Sequence, residues 1–137
     1  MRKPRRTVCE ECPRLRDARS LRRRRLARRS GRHCLLDDAV LCCGPATRAG
    51  CQALCLHAGA PCIGCRLPAA DVDVFERQVL RALALRFADR GRSVAEQFLE
   101  AGIPNVSAQL RAYHRSATLL RLALQRRRRS CEGGGGP

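Results

Sequence analysis

The chain is organised by one stretch, His33-Cys34-Leu-Leu-Asp-Asp-Ala-Val-Leu-Cys42-Cys43-Gly44-Pro45-Ala-Thr47-Arg48-Ala-Gly50-Cys51-Gln-Ala-Leu-Cys55-Leu-His57-Ala-Gly59-Ala-Pro61-Cys62-Ile-Gly64-Cys65-Arg-Leu-Pro68. Seven of the ten cysteines fall here, interleaved with glycine and proline, so residues 33–68 are expected to be mostly loop and turn. Two further thiols precede it as Cys9-x2-Cys12, and Cys131 stands alone near the end. Thiolates separated by two residues on turn-rich backbone can converge on one centre while backbone N–H groups point at the sulfurs. With Cys43 and Cys131 set aside, eight cysteines remain, the count for two four-thiolate sites. Spacing alone leaves two all-cysteine zinc sites and two [4Fe–4S] clusters equally open, because both metals accept tetrahedral sulfur.

Composition makes a metal more than decoration. The 137 residues include no Trp, one Tyr and three Phe, so the large side chains that dominate burial in small cores are nearly absent. Metal binding is expected to take over part of that task. The charge is lopsided: 28 Lys+Arg oppose 12 Asp+Glu, for a net +16. Residues 1–32 carry 14 basic and three acidic groups, whereas 33–70 carry two of each. The charge therefore sits in the flanks, and the cysteine-rich middle is neutral.

No apolar run approaches the ~18 residues of a membrane span, so none is expected. The basic start is followed by more arginine rather than by the apolar stretch of a secretory signal. A cytoplasmic, reducing location is expected, and there closely spaced cysteines favour metal over disulfides.

Four regions follow: a basic arm over 1–32 with Cys9 and Cys12, a cysteine-rich module over 33–68, a helical region over 69–129 and a disordered tail over 130–137. In the third, Asp71 caps a helix with an apolar stripe at Val72, Phe75, Val79, Leu83 and Phe87 that stops near Gly91. Ser93 and Glu96 form a capping box for a short helix over Val94–Ala101, with Phe98 inward and Gly102 as its stop. Val106, Leu110, Tyr113, Ala117, Leu120 and Leu124 keep a helical period up to Arg126–Arg129, whose charge suits a helix C-terminus. The fold class is thus a small, α-rich, metal-stabilised protein: a cysteine-rich loop module followed by two or three helices.

The segment Cys34 to Pro68 resembles the C-terminal iron–sulfur domain of the small subunit of cytoplasmic NiFe hydrogenases, the sulfhydrogenase delta and methanogen gamma-type subunits. These belong with the 20 kDa-subunit-like family of NADH:ubiquinone oxidoreductase. The family's Cys-Leu-Gly-Pro-Val-Thr-Arg-Gly-Gly-Cys element is matched by Cys42-Cys-Gly-Pro-Ala-Thr-Arg-Ala-Gly-Cys51, and its Cys-x-Gly-Cys-x-Gly-Pro by Cys62-Ile-Gly-Cys65-Arg-Leu-Pro68. The resemblance implies two [4Fe–4S] clusters that pass electrons between a hydrogenase core and a partner, either the large subunit or another redox subunit. It implies Cys9, Cys12, Cys34, Cys42, Cys51, Cys55, Cys62 and Cys65 as ligands. Cys43 stands where the family has Leu and is a possible alternative ligand. The family's N-terminal flavodoxin-like domain has no counterpart here, so a separated domain, a split or decayed gene product, or a small electron carrier built on the same module is expected.

Other residues have plainer readings. His33 and His57 can ligate metal, but the cysteine count is already complete. Arg48 matches the family's Thr-Arg element and is expected to hydrogen-bond a cluster sulfur or to fix the turn. No residue is recognisably placed as an acid, base or nucleophile, so catalysis is expected in a partner. The Arg19–Arg32 block is a solvated face, a nonspecific nucleic-acid contact, or a steering charge for an acidic partner. A zinc-stabilised nucleic-acid-binding protein with that block as its arm is the alternative function, although residues 1–74 hold no aromatic to stack a base.

Overall fold

The computed structural model describes residues 6–16, 32–38, 40–67, 71–87, 93–100, 102–103 and 105–132. The arginine block over 19–31, Gly91, Pro104 and the Gly133–Gly136 run lie outside the described residues. Among the described residues, a 3-10 turn at Val8–Glu10 precedes four helices: α1 (Leu54–His57), α2 (Val72–Arg86), α3 (Val94–Glu100) and α4 (Val106–Glu132). Among the described residues there is no strand, only two isolated β-bridges. Apart from the four-residue α1, the described part of the cysteine-rich segment is loop and turn, as its glycines and prolines dictate.

The helices form where the pattern places them. Asp71 caps α2 by accepting the N–H of Asp73 at 2.8 Å, and Phe75, Val79 and Leu83 point inward from one face with Phe87 just beyond the end. Ser93 and Glu96 exchange reciprocal hydrogen bonds at the start of α3, 2.9 and 3.2 Å long. At its other end Gly102 adopts a left-handed φ of 89°, and the N–H groups of Ile103 and Gly102 reach the carbonyls of Phe98 and Leu99. This paired closure buries Phe98 and Ile103 together. Asn105 caps α4 through Ala108 N at 2.8 Å.

Three expectations change. Helix α2 ends at Arg86, well short of Gly91. In α4, Val106, Leu110 and Ala117 are buried and Tyr113 is half-buried, but Leu120 and Leu124 are 38% and 50% exposed. The spacing specified their face correctly, yet nothing among the described residues lies opposite to bury them. The same helix continues through Glu132, three residues into the stretch expected as tail.

One core joins the two halves. Leu36, Leu41, Cys43, Leu56 and Leu67 from the cysteine-rich segment pack with Phe75, Val79, Leu83, Phe98 and Leu110. Phe75 meets His114 edge-on at 5.2 Å, and Phe87 meets Phe98 at 6.1 Å. The buried Asp37 carboxylate pairs with Arg86 at 3.3 Å, fastening the turn after Cys34 to the end of α2. Tyr113 donates to the carbonyl of Leu41 at 2.9 Å, fastening α4 to the same segment.

Gly64 shows how tightly loop and helix meet. Its φ is 80°, and a Cβ there would lie 2.7 Å from the Phe75 ring and 2.9 Å from Leu67. Gly59 has a similar φ of 83° but open space around it. Replacing Gly59 by Ala is expected to cost the left-handed penalty alone, about 1 kcal/mol. Gly64→Ala adds the clash and is expected to cost roughly 2–4 kcal/mol in urea unfolding of the two variants side by side.

Candidate metal centre

The N-terminal arm reaches the cysteine-rich segment through backbone pairing. Val8 N donates to Thr47 O and Ala49 N to Arg6 O, both at 2.9 Å, so the arm runs antiparallel to the Thr47–Ala49 turn. A second clip joins Leu15 to the strand-like stretch at His33: Leu15 N donates to Arg32 O at 2.7 Å and Cys34 N to Leu15 O at 2.8 Å. Between these clips the Glu11 carboxylate accepts the N–H of Gly50 at 2.7 Å. Cys9 and Cys12 are thereby carried into the neighbourhood of thiols far along the chain.

The sulfurs fall into two overlapping neighbourhoods. Burial pushes the Cys9 thiol up to about 12; Arg16 pulls it back, and Cys34, Cys12 and Cys62 add to the rise. Cys42 is likewise pushed up to about 12 by burial, opposed by N–H groups of Gly44 and Cys62 and reinforced by Cys62 and Cys9. Cys65 is raised by burial and then by Cys51 and Cys55, while Arg121 and Arg66 lower it. Cys62 lies between the two groups, raised by burial and by Cys65 and Cys51. Cys9 thus neighbours Cys12 and Cys34, Cys65 neighbours Cys51 and Cys55, and Cys62 faces both sides, toward Cys9 and Cys42 as well as toward Cys51 and Cys65.

Backbone donors partly offset the effect of burial at three of these sulfurs. Cys34 accepts N–H bonds from Leu36 and Asp37, Cys42 from Gly44 and Cys62, and Cys62 from Gly64. The Cys62 N–H lies 3.4 Å from Cys42 Sγ. Donors aimed at sulfur stabilise its anionic form, the form that binds metal. Gly44 provides the space between two of the sulfurs, since a Cβ there would sit 3.1 Å from Cys9 Sγ and 3.5 Å from Cys42 Sγ. Among the described residues, no three His, Cys, Asp or Glu side chains close around a single ion position. The thiols are gathered but not drawn into a one-ion shell.

Exposure separates the two groups. Cys34 and Cys42 are buried with Cys9 and Cys12 partly so, whereas in the second group Cys62 is buried, Cys51 and Cys65 are partly covered and Cys55 is exposed. Cys43 is fully buried, its thiol pushed well above the ordinary range by burial. Cys131 is exposed near the end of α4. His57 is exposed on α1, and His33 is held by its backbone in the bridge to Leu15. Arg48 is exposed and contributes backbone pairing to Thr7, so the turn is its visible role.

Two contributors were not among the expected site residues, although Thr47 stands in the Thr-Arg element of the resemblance. Thr47, fully buried, donates its hydroxyl to Cys43 O at 2.7 Å and accepts from Cys62 Sγ at 3.4 Å. Arg121, half-way along α4, donates Nε to Cys65 O at 2.7 Å and Nη2 to Gly64 O at 3.4 Å. One Arg among many looks ordinary in sequence.

The sequence matches no protein-family model. It is 42% identical over 65 residues to a subunit of the vhu F420-non-reducing hydrogenase of Methanocaldococcus jannaschii, and 40% identical over 65 residues to the subunit that bears the same name in Methanococcus voltae. Those residues are 45% of this chain and 23% of each relative, so the chain spans about a quarter of the length of the curated relatives it matches. The likeness is to hydrogenase subunits. No helix among the described residues is long and apolar enough to cross a membrane.

The Thr47 hydroxyl is the most exacting contact of the centre. Thr47→Val keeps the shape and removes both bonds, and is expected to cost about 1–3 kcal/mol in denaturant unfolding. Thr47→Ser is expected to recover most of that loss. Equal stability of all three proteins would show that the hydroxyl contributes nothing.

Proposed function

We propose that the chain is an electron-transfer module holding two [4Fe–4S] clusters, serving in a complex of the hydrogenase type. The observation that supports this reading is the gathering of thiols from remote parts of the chain, Cys9, Cys12 and Cys34 on one side and Cys51, Cys55 and Cys65 on the other with Cys42 and Cys62 between them, and with backbone N–H groups at the sulfurs of Cys34, Cys42 and Cys62. The likeness to the two methanogen hydrogenase subunits supports the setting. Cys9, Cys12, Cys34 and Cys42 would hold one cluster, and Cys51, Cys55, Cys62 and Cys65 the other. Bound there, such a cluster supplies one-electron transfer at a potential set by charge, hydrogen bonds to sulfur and burial.

The chain's own residues do the rest. Leu36, Leu41, Leu56 and Leu67 keep water from the inner faces of the cysteine loops. Arg16 and Arg86 offset thiolate charge near Cys9 and Cys34, and Arg121 and Arg66 do so near Cys65. Cys43 packs as a small apolar residue, in keeping with the Leu expected from the resemblance. The partner would be the hydrogenase large subunit or another redox subunit, and the reaction at nickel and iron would belong to that complex rather than to this chain. The division into a basic arm, a cysteine module and a helical region is part of the proposal, with the arm built into the module through Cys9 and Cys12.

Protein purified without oxygen is expected to be brown and to contain about eight iron and eight sulfide per chain. Cys9→Ser with Cys12→Ser is expected to keep about half the iron, whereas Cys12→Ser with Cys55→Ser loses nearly all of it, because the second pair strikes both groups of four. Cys131→Ser should leave iron unchanged. A colourless protein with about two zinc per chain would overturn the proposal and favour zinc-stabilised nucleic-acid binding. Equal iron loss in the two double variants would overturn the division into fours.

A further inference from the structure

The apolar stripe of α4 outruns the rest of the protein. Phe75, in the first turn of α2, meets His114 of α4, and Arg121 reaches back to Cys65, which precedes α2. The two helices therefore run antiparallel, and α4 passes beyond the start of α2. At 1.5 Å per residue α4 is about 40 Å long against about 22 Å for α2. Val106, Leu110, Tyr113 and Ala117 spend their stripe on the core. Leu120, Leu124 and Arg128 continue it at the same spacing of three and four, and all three are exposed.

This uncovered length lies at the more exposed group of cysteines. Arg121 binds the carbonyls of Gly64 and Cys65, and Cys65 neighbours Cys51 and Cys55. Cys55 is exposed, and Leu54 beside it on α1 is 66% exposed. The two stretches that build this surface carry one sign: no Asp or Glu occurs in the sequence from Ala39 to Ala70 or from Ala101 to Cys131, Arg66, Arg121 and Arg126–Arg129 lie within those stretches, and the nearby carboxylates Asp71 and Asp73 belong to the start of α2. Leucines among arginines suit an apolar contact rimmed by carboxylates. They do not suit stacked bases, because every Phe is buried and Tyr113 is tied to Leu41.

We propose that the exposed second half of α4, with the Leu54–Cys55 edge, is the docking surface for an acidic redox protein that exchanges electrons at the Cys51, Cys55, Cys62 and Cys65 group. The inference rests on the electron-transfer reading and adds to it the face used and the chemistry of the partner.

The test uses the full, iron-loaded chain and an acidic plant-type [2Fe–2S] ferredoxin as probe, with binding measured by calorimetry between about 20 and 200 mM salt. Leu124→Ser combined with Arg128→Glu is expected to weaken binding at low salt by about tenfold or more, and salt is expected to weaken the unaltered protein. Both changes lie on an exposed helix face, and unaltered circular dichroism confirms that the fold is kept. Arg77→Glu, on the solvent side of α2, removes the same charge elsewhere and is expected to change binding less than about twofold. Equal weakening by both variants, or by neither, overturns the proposal. Loss of affinity for a short DNA duplex that matches the loss for ferredoxin also overturns it, since the face would then attract any polyanion. An iron-free preparation sinks this inference together with the proposed function; an iron-loaded protein with indifferent variants sinks this inference alone.

Discussion

Three segments that are remote in sequence meet at the buried residue Thr47. Its hydroxyl donates to Cys43 O and accepts from Cys62 Sγ, its own N–H reaches the carbonyls of Cys43 and Gly44, and its carbonyl takes the N–H of Val8. Each bond contributes only about 1 kcal/mol net, but leaving these polar groups unpaired in the interior would cost more. The N-terminal arm, the turn after Cys42 and the loop at Cys62 are consequently fixed against one another. With few aromatics available, a polar knot of this kind replaces some of the mutual placement that large side chains achieve elsewhere.

The helical region was readable because its signals are local. Asp71, the Ser93–Glu96 pair and Gly102 each act within a turn or so, and the stripe of α2 needs only a 3.6-residue period. The same period misleads at Leu120 and Leu124. Periodicity reports which residues share a face, not whether anything covers it. The arm was the harder case. Cys9 and Cys12 come near the cysteines of the middle segment through the Thr7–Arg48 and Leu15–His33 bridges, and two-residue bridges leave no pattern in a sequence.

Cys43 illustrates the division between chemistry and packing. Its thiol is adjacent to Cys42 in the chain, yet the neighbour is gripped by N–H donors while Cys43 is fully buried and its ionisation opposed by burial and by Cys62 and Cys42. A buried thiol without such donors behaves as a small hydrophobe. Consecutive residues on extended backbone face opposite ways, so only one member of such a pair can join a given group of sulfurs. Arg121 was hidden for a different reason: among so many arginines its sequence position is unremarkable, and only the antiparallel course of α4 brings it to Cys65.

Charge joins these threads. Burial is the largest influence on the thiols of Cys9, Cys34, Cys42, Cys62 and Cys65, and it favours the neutral form in each case. Holding metal requires the opposite state, so loading must displace protons, and its free energy works against that preference. The surroundings reduce the opposition: N–H groups face Cys34, Cys42 and Cys62, and guanidinium groups stand near Cys9, Cys34 and Cys65. Asp37 is the exception beside Cys34, and it is paired with Arg86. A stretch from Ala39 to Ala70 without a single carboxylate therefore does two things at once. It leaves the thiolates as the only negative side chains of that segment, and it leaves the approach to the exposed cysteines to the arginines of α4.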